Sequence, residues 1–207
     1  MRQGVARLVT MTVVVGLIAF AAGSTPTAAQ AGGATPQTAP AKPAAAKPAG
    51  AGAATRGKYL VTVMGCNDCH TPWTMGANGP EPDMTLMLSG HPATMTLPPP
   101  PAPSGPWIGR FSASMTAWAG PWGISYTKNL TPDKGTGLGS WTEQQFVDTI
   151  RNGREQGRGR QLLPPMPWQM HRNLTDGDLK AIFAYLKTIP AISNKVPDPV
   201  IAPPPTH

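Results

Sequence analysis

Cysteine is nearly absent: the 207 residues contain two. That excludes a disulfide-dense mini-protein and any four-cysteine zinc or iron–sulfur site held by one chain. Charge is scarce as well, at 13 % of residues, so the chain is not a heavily charged disordered polymer, and any disorder belongs to the Pro/Ala linker type. No basic stripe interleaves with aromatics, although Arg151, Arg154, Arg158 and Arg160 cluster, and nucleic acid is therefore not an expected partner. No strand-length run alternates apolar with polar residues, and no internal repeat is present. The uncharged run Leu8 to Ala22 falls short of the roughly 20 residues of a comfortable membrane span.

What the chain has in excess is proline (26) and glycine (23), together nearly a quarter of it. Arg2 and Arg7 precede the run Leu8 to Ala22, and Ala29-Gln30-Ala31 follows as a small-x-small cleavage site. This order predicts a secretory signal over residues 1–31, with an uncleaved N-terminal anchor as the alternative. Its removal takes two arginines and no acid, lowering the formal net charge from +7 to +5, a mild balance. Residues 32–54 are almost wholly Ala, Pro, Gly, Thr and Lys and lack the apolar side chains that would offset the entropy of ordering, so they read as a linker. Residues 191–207 read as a Pro-rich tail, which leaves residues 55–190 as the ordered domain.

Three helices are expected in it. The first runs from about Arg56 to Asn67, with Tyr59, Leu60 and Val63 on one face and Gly57 and Gly65 weakening its ends. The second starts at Trp141-Thr142, where Thr142 and Gln145 form a capping box, Phe146, Val147 and Ile150 supply a buried face, and Asn152-Gly153 is a stop. The third spans Leu174 to Thr188, capped by Thr175 and Asp178, with Leu179, Ile182, Phe183 and Leu186 at helical spacing and Pro190 beyond. Between Pro72 and Pro132 the prolines predict loop.

Both cysteines fall in Cys66-Asn67-Asp68-Cys69-His70. The C-x-x-C-H pattern is a haem c attachment signature. Two cysteines at i, i+3 on a helix end point the same way, so each sulfur can add across one vinyl group, and the adjacent His70 comes under the macrocycle as an iron ligand. A disulfide between Cys66 and Cys69 gives His70 no purpose. A thioredoxin-like motif needs a preceding strand, and none is expected. Zinc needs further ligands, and His91, His171 and His207 lack the spacing.

For the sixth iron position Met166 stands out. In Leu163-Pro164-Pro165-Met166-Pro167-Trp168 three prolines stiffen the loop that would hold its sulfur. Met170 is the rival and His171 the next; Trp168 is a candidate for the pocket wall, with Trp141 and Tyr185 as plain core. The arginines at 151–160 suit propionates or a partner, with a solvated surface as the default.

From about Arg56 to Thr188 the chain resembles the class I cytochromes c: a helix ending in C-x-x-C-H, a Met-bearing Pro loop and an aromatic-containing last helix. More narrowly, Asn129-Leu130-Thr131-Pro132-Asp133, Gly139-Ser140-Trp141-Thr142 and Pro165-Met166-Pro167-Trp168 resemble the haem domains of cytochrome subunits of periplasmic alcohol and sugar dehydrogenases. The resemblance implies thioether bonds at Cys66 and Cys69, His70 as proximal and Met166 as distal ligand. Those subunits carry three haems, whereas this chain has one motif, and the insert from about Met75 to Trp122 exceeds the family pattern. The expected fold is all-α, a single domain of three to five helices around one covalent haem c, with a long Pro-rich loop insert. The expected role is single-electron transfer in the bacterial periplasm rather than enzyme catalysis, from a dehydrogenase donor to an oxidase or another cytochrome. Membrane association is expected only if the N-terminal segment is retained. The alternative is a haem enzyme or a gas or redox sensor with an open sixth site.

Overall fold

The computed structural model describes residues 51–101 and 105–203. The expected signal segment, the expected linker up to residue 50 and residues 204–207 lie outside the described residues. Helix α1 (Ala51–Val63) is followed at once by α2 (Cys66–His70), and the second half of the chain supplies α3 (Glu143–Asn152), α4 (Trp168–His171) and α5 (Asp176–Leu186). Thr142 accepts from the Gln145 N–H while the Gln145 side chain accepts from the Thr142 N–H, and Gly153 ends α3 in the left-handed conformation. Thr175 caps α5 by accepting from the Asp178 N–H.

α1 packs across α5, and Gly57 makes the crossing possible, because a Cβ there would overlap the Ala181 carbonyl. Leu60 and Val61 are buried in this contact, and Arg56 pairs with Asp178 at 2.9 Å on its rim. The glycine that weakens the helix in isolation therefore fits it to its neighbour. Gly57→Ala is expected to lower stability: helix propensity returns about 1 kcal/mol, while overpacking against backbone costs about 1–3 kcal/mol. A denaturation midpoint at or above that of the parent would show that the helices can move apart freely.

The all-α expectation is overturned. Between Pro72 and Pro132, where loop was expected, lie five of six short strands in two antiparallel sheets. β1 (Trp73–Gly76) and β2 (Gly79–Pro82) form a hairpin, while β3 (Arg110–Phe111), β4 (Ala117–Gly120), β5 (Gly123–Tyr126) and β6 (Val200–Ile201) form a second sheet in that order. Strands of two to four residues are too short to show an alternating pattern. The prolines of β2 are compatible with an edge strand because Pro80 and Pro82 need not donate to a ladder.

Residues 191–203 are built into the same body. Asn194 accepts from the Ala93 N–H and donates to the carbonyls of Ser89 and His91 at 2.7 and 2.9 Å. Val196 is buried, and β6 pairs with β5. These ties are side-chain amides and a two-residue strand, neither of which has a periodic signature.

His91 pins the insert from within. It is fully buried, and its Nε2 lies 3.2 Å from the Met95 carbonyl, which can only accept. Nε2 therefore carries the proton, and Nδ1 accepts from the Thr116 hydroxyl at 2.9 Å. Burial holds the imidazole below its usual pKa, so the folded state keeps it neutral. The unfolded chain takes up the proton near pH 6.5. The His91 contribution is thus complete above that pH and is lost as pH falls through it, levelling off below the folded value. Urea midpoints should decline between about pH 7 and 5, above the carboxylate range, and His91→Gln should flatten the slope by its share. An equal slope in both proteins would place the titration elsewhere, for instance at His171, which burial shifts in the same direction.

Candidate functional site

The apolar faces of α1, α3 and α5 do not close on one another completely. They enclose a cavity of about 310 Å³ whose wall includes Val61, Leu138, Phe146, Ile150, Leu179 and Ile182. Cys66, Cys69, His70 and Met166 all lie on that wall, although Met166 is about a hundred residues further along the chain.

The motif is held by its local structure. Gly65, at φ 67°, turns the chain from α1 into α2, and α2 places Cys66 and Cys69 one turn apart. At the end of α2 the Thr71 N–H donates to the Asn67 carbonyl, and the Thr71 hydroxyl donates to Asn67 Oδ1 at 2.8 Å. That hydroxyl in turn accepts from the Leu88 N–H, and the Trp73 indole donates to the Asp68 carbonyl. The insert therefore clamps the motif from outside.

His70 Nδ1 lies 2.8 Å from the Lys128 carbonyl. A carbonyl only accepts, so Nδ1 carries the proton and Nε2 keeps its lone pair, the tautomer a metal ligand requires. Burial also lowers the His70 pKa, with the charge of His171 adding to the effect, so the imidazole is neutral near pH 7. Cys66 and Cys69 are not joined in a disulfide. Burial pushes the Cys66 thiol up to about 11 and raises Cys69 as well, so neither is a thiolate at neutral pH. That environment does not suit rapid disulfide exchange. Among the described residues no group of three or more His, Cys, Asp or Glu is placed to hold a metal ion. Two neutral thiols on one helix face, an oriented imidazole and an apolar cavity beside them fit a haem joined through both sulfurs.

The Pro loop is fastened to the second sheet. Ser125 of β5 donates to the Pro164 carbonyl at 2.6 Å, and the Leu162 N–H donates to the Gly153 carbonyl. Of the three candidates for the sixth position, Met166 and His171 reach the cavity wall, whereas Met170 is 74 % exposed and does not. The aromatic expectations exchange places. Trp168 packs over Gly153 and beneath Arg172 and faces an outer groove, while Trp141 lies on the cavity wall. Residues 125–128, the end of β5 and the two positions after it, also form wall, which sequence reasoning missed because they carry no motif. Glu155 and Arg160 complete the wall with the one ion pair found there among the described residues.

The family model described as Cytochrome c matches residues 54–190. The chain is similar to the fructose dehydrogenase cytochrome subunit of Gluconobacter japonicus, at 31 % identity over 65 % of this chain and 21 % of that protein. It is similar to the gluconate 2-dehydrogenase cytochrome c subunit of Pantoea cypripedii, at 39 % identity over 32 % of this chain and 15 % of that protein. A third likeness is to the cytochrome c subunit of the quinone-dependent alcohol dehydrogenase of Gluconobacter oxydans, at 34 % identity over 38 % and 17 %. The chain thus spans about a fifth or less of the length of these relatives.

Proposed function

Because the chain belongs to the cytochrome c family and carries covalently attached haem c, we propose that it relays single electrons, with His70 and Met166 as the two axial ligands of one haem. One observation carries this reading: Met166 shares a cavity wall with the Nε2-ready His70, and its rival Met170 lies outside. When bound, the haem supplies the Fe(III)/Fe(II) couple. The chain's own part is positional. Cys66 and Cys69 would hold the ring at α2, the Lys128 carbonyl orients His70 toward that task, and the Pro loop tied to Ser125 would present the Met166 sulfur. Were His70 and Met166 both to hold the iron, no position would be left for a substrate, so the protein would act as a carrier of single electrons rather than as a catalyst.

The donor is proposed to be a dehydrogenase, on the strength of relatives named as cytochrome subunits of fructose, gluconate and alcohol dehydrogenases. The acceptor is an oxidase or another cytochrome. The basic, apolar, small-residue order of residues 1–31 supports a periplasmic location, and among the described residues no helix is long and apolar enough to cross a membrane. Sequencing the N-terminus of the mature protein tests the location: an intact Met1 or Arg2 in a membrane fraction would make it an anchored cytochrome. The ferric optical spectrum tests the ligands. A low-spin spectrum with the weak sulfur-to-iron band at the red edge of the visible is expected. A high-spin spectrum that changes at once on adding cyanide would select the enzyme or sensor reading.

His171 on the same wall gives a second reading, in which nitrogen rather than sulfur completes the iron's coordination. A low-spin spectrum without the red-edge band would select it.

A further inference from the structure

Single exposed apolar side chains are ordinary on a protein surface, but several brought together from distant parts of a chain mark a place where something binds. The four-stranded sheet has such a place at one end. There β4 turns into β5 through Pro121 and Trp122, and the Trp122 ring lies across Gly120 and against Gly109. Trp107 and Ile108 lead into β3 beside it. From the other edge comes β6: the Ala202 N–H donates to the Trp122 carbonyl at 3.1 Å. Gly123, at φ 101°, leaves room for the Val200 carbonyl where a Cβ would overlap it.

This tip of the sheet is apolar and open. Trp107 is 74 % exposed, Ile108 69 %, Phe111 61 %, Val200 55 % and Ile201 58 %. Aromatic side chains carry about 150–250 Å² each, so Trp107 and Phe111 alone leave roughly 250 Å² in water, and the five residues together on the order of 500 Å². Charge is scarce there. Between Met84 and Thr127 the one Lys, Arg, Asp or Glu is Arg110, half-buried within β3. Asp198, the acid nearest in sequence to β6, lies beyond Pro199, which reaches the cavity wall.

That composition decides among occupants. An anionic lipid surface or an acidic protein is recognised by a rim of cations, and one half-buried arginine is no such rim. A second copy needs none. In a two-fold contact the same patch meets itself, so an uncharged surface carries no like-charge penalty. Two tips of this size bury about 1,000 Å² in all, the lower bound of a specific interface and the range of weak, reversible association.

We propose that the tip formed by Trp107, Ile108, Phe111, Val200 and Ile201 is the surface through which two copies of this protein form a reversible, two-fold symmetric dimer. Residues 125–128, past the other end of the β5 ladder with β6, line the cavity, so pairing tip to tip leaves the cavity end of each sheet outside the contact. Each copy can then meet a redox partner without dissociating first. The contact does not depend on which side chains hold the iron.

The test is sedimentation velocity of the haem-loaded, full-length protein from low to high micromolar concentration. Two double variants are compared with the parent, Ile108→Lys with Ile201→Lys, and Ile108→Glu with Ile201→Glu. The parent is expected to pass from monomer to dimer as concentration rises. Each double variant alone should associate at least about tenfold more weakly, because like charges then face one another in a desolvated contact. Mixing the two variants should restore the dimer, since every Lys-bearing tip can meet a Glu-bearing one. A folding defect would not be rescued by mixing, and the haem spectrum of each variant should match that of the parent. A parent that stays monomeric throughout would overturn the proposal, also where it sediments with phospholipid vesicles, which would make the tip a lipid-binding surface. So would a dimer that persists in both charged variants, since another face would then hold it. Variants with parental haem spectra whose mixture stays monomeric would show that the tip does not meet a second tip.

Discussion

Replacing both Cys66 and Cys69 with serine is expected to give a chain that neither retains haem through denaturing electrophoresis nor keeps its helical circular dichroism. The cavity between the helices is not a side pocket of a completed core. Val61, Leu138, Phe146, Ile150, Leu179, Ile182 and Leu186 belong both to the main hydrophobic cluster and to the cavity wall. Without a ring between them these side chains face an opening of about 310 Å³, and the apolar area around it goes unburied. Whole domains have only about 5–15 kcal/mol in total. The alternatives are collapse of α1 and α5 inward or loss of the fold, and the Gly57 crossing already brings those helices to backbone contact. The single variants should keep the ring through one thioether and the His70 bond, with a weakened hold rather than none. Serine is close in volume to cysteine, so the change tests the covalent bond and not the packing. A double variant that stays helical and cooperative without haem would show that the surrounding side chains close the gap themselves.

The parts of this architecture that can be read along the chain are those made by neighbours in sequence. The Thr142–Gln145 capping box, the Gly153 stop, the Thr175 cap and the C-x-x-C-H spacing each lie within a few residues, and each has a physical requirement that few residue types meet. The sheets have no such signal. β5 is four residues long, β6 two, and their pairing joins positions almost eighty residues apart. What replaces periodicity there is a set of polar side chains at long range. Asn129 donates to the Ile192 carbonyl and Asn194 to Ser89 and His91, so the ends of the insert and the last residues close on one another through amides. Asn and Asp in a Pro-rich stretch look like turn formers in isolation, and only the fold shows their distant partners. The exchange of Trp168 for Trp141 at the cavity has a similar origin. Both sit beside helix starts, and which one turns inward depends on Gly153, whose missing side chain leaves room for the Trp168 ring on the outer side.

Met166→Ala is expected to leave the ferric iron high-spin or water-ligated and open to carbon monoxide, and Met166→His to keep it low-spin with a lower reduction potential. Thioether sulfur favours Fe(II), whereas imidazole nitrogen donates more strongly and favours Fe(III). Axial ligands span much of the roughly 0.8 V haem range, so the histidine variant should shift the potential by hundreds of millivolts, on the order of ten times a peripheral charge effect. The loop is suited to holding a weak ligand. Pro164, Pro165 and Pro167 restrict its backbone, and Ser125 ties it to β5, so the sulfur is placed without loss of further chain entropy on binding. Met170→Ala should change neither property, since that side chain points to solvent. His171→Ala is the decisive companion, because His171 shares the wall with Met166. If Met166→Ala stays low-spin until His171 is also removed, the imidazole can occupy the vacated position and the loop offers the iron two ligands. If Met166→Ala alters nothing while His171→Ala abolishes the low-spin spectrum, nitrogen is the native ligand. The carrier would then work at a lower potential, and its donor would have to be a correspondingly stronger reductant.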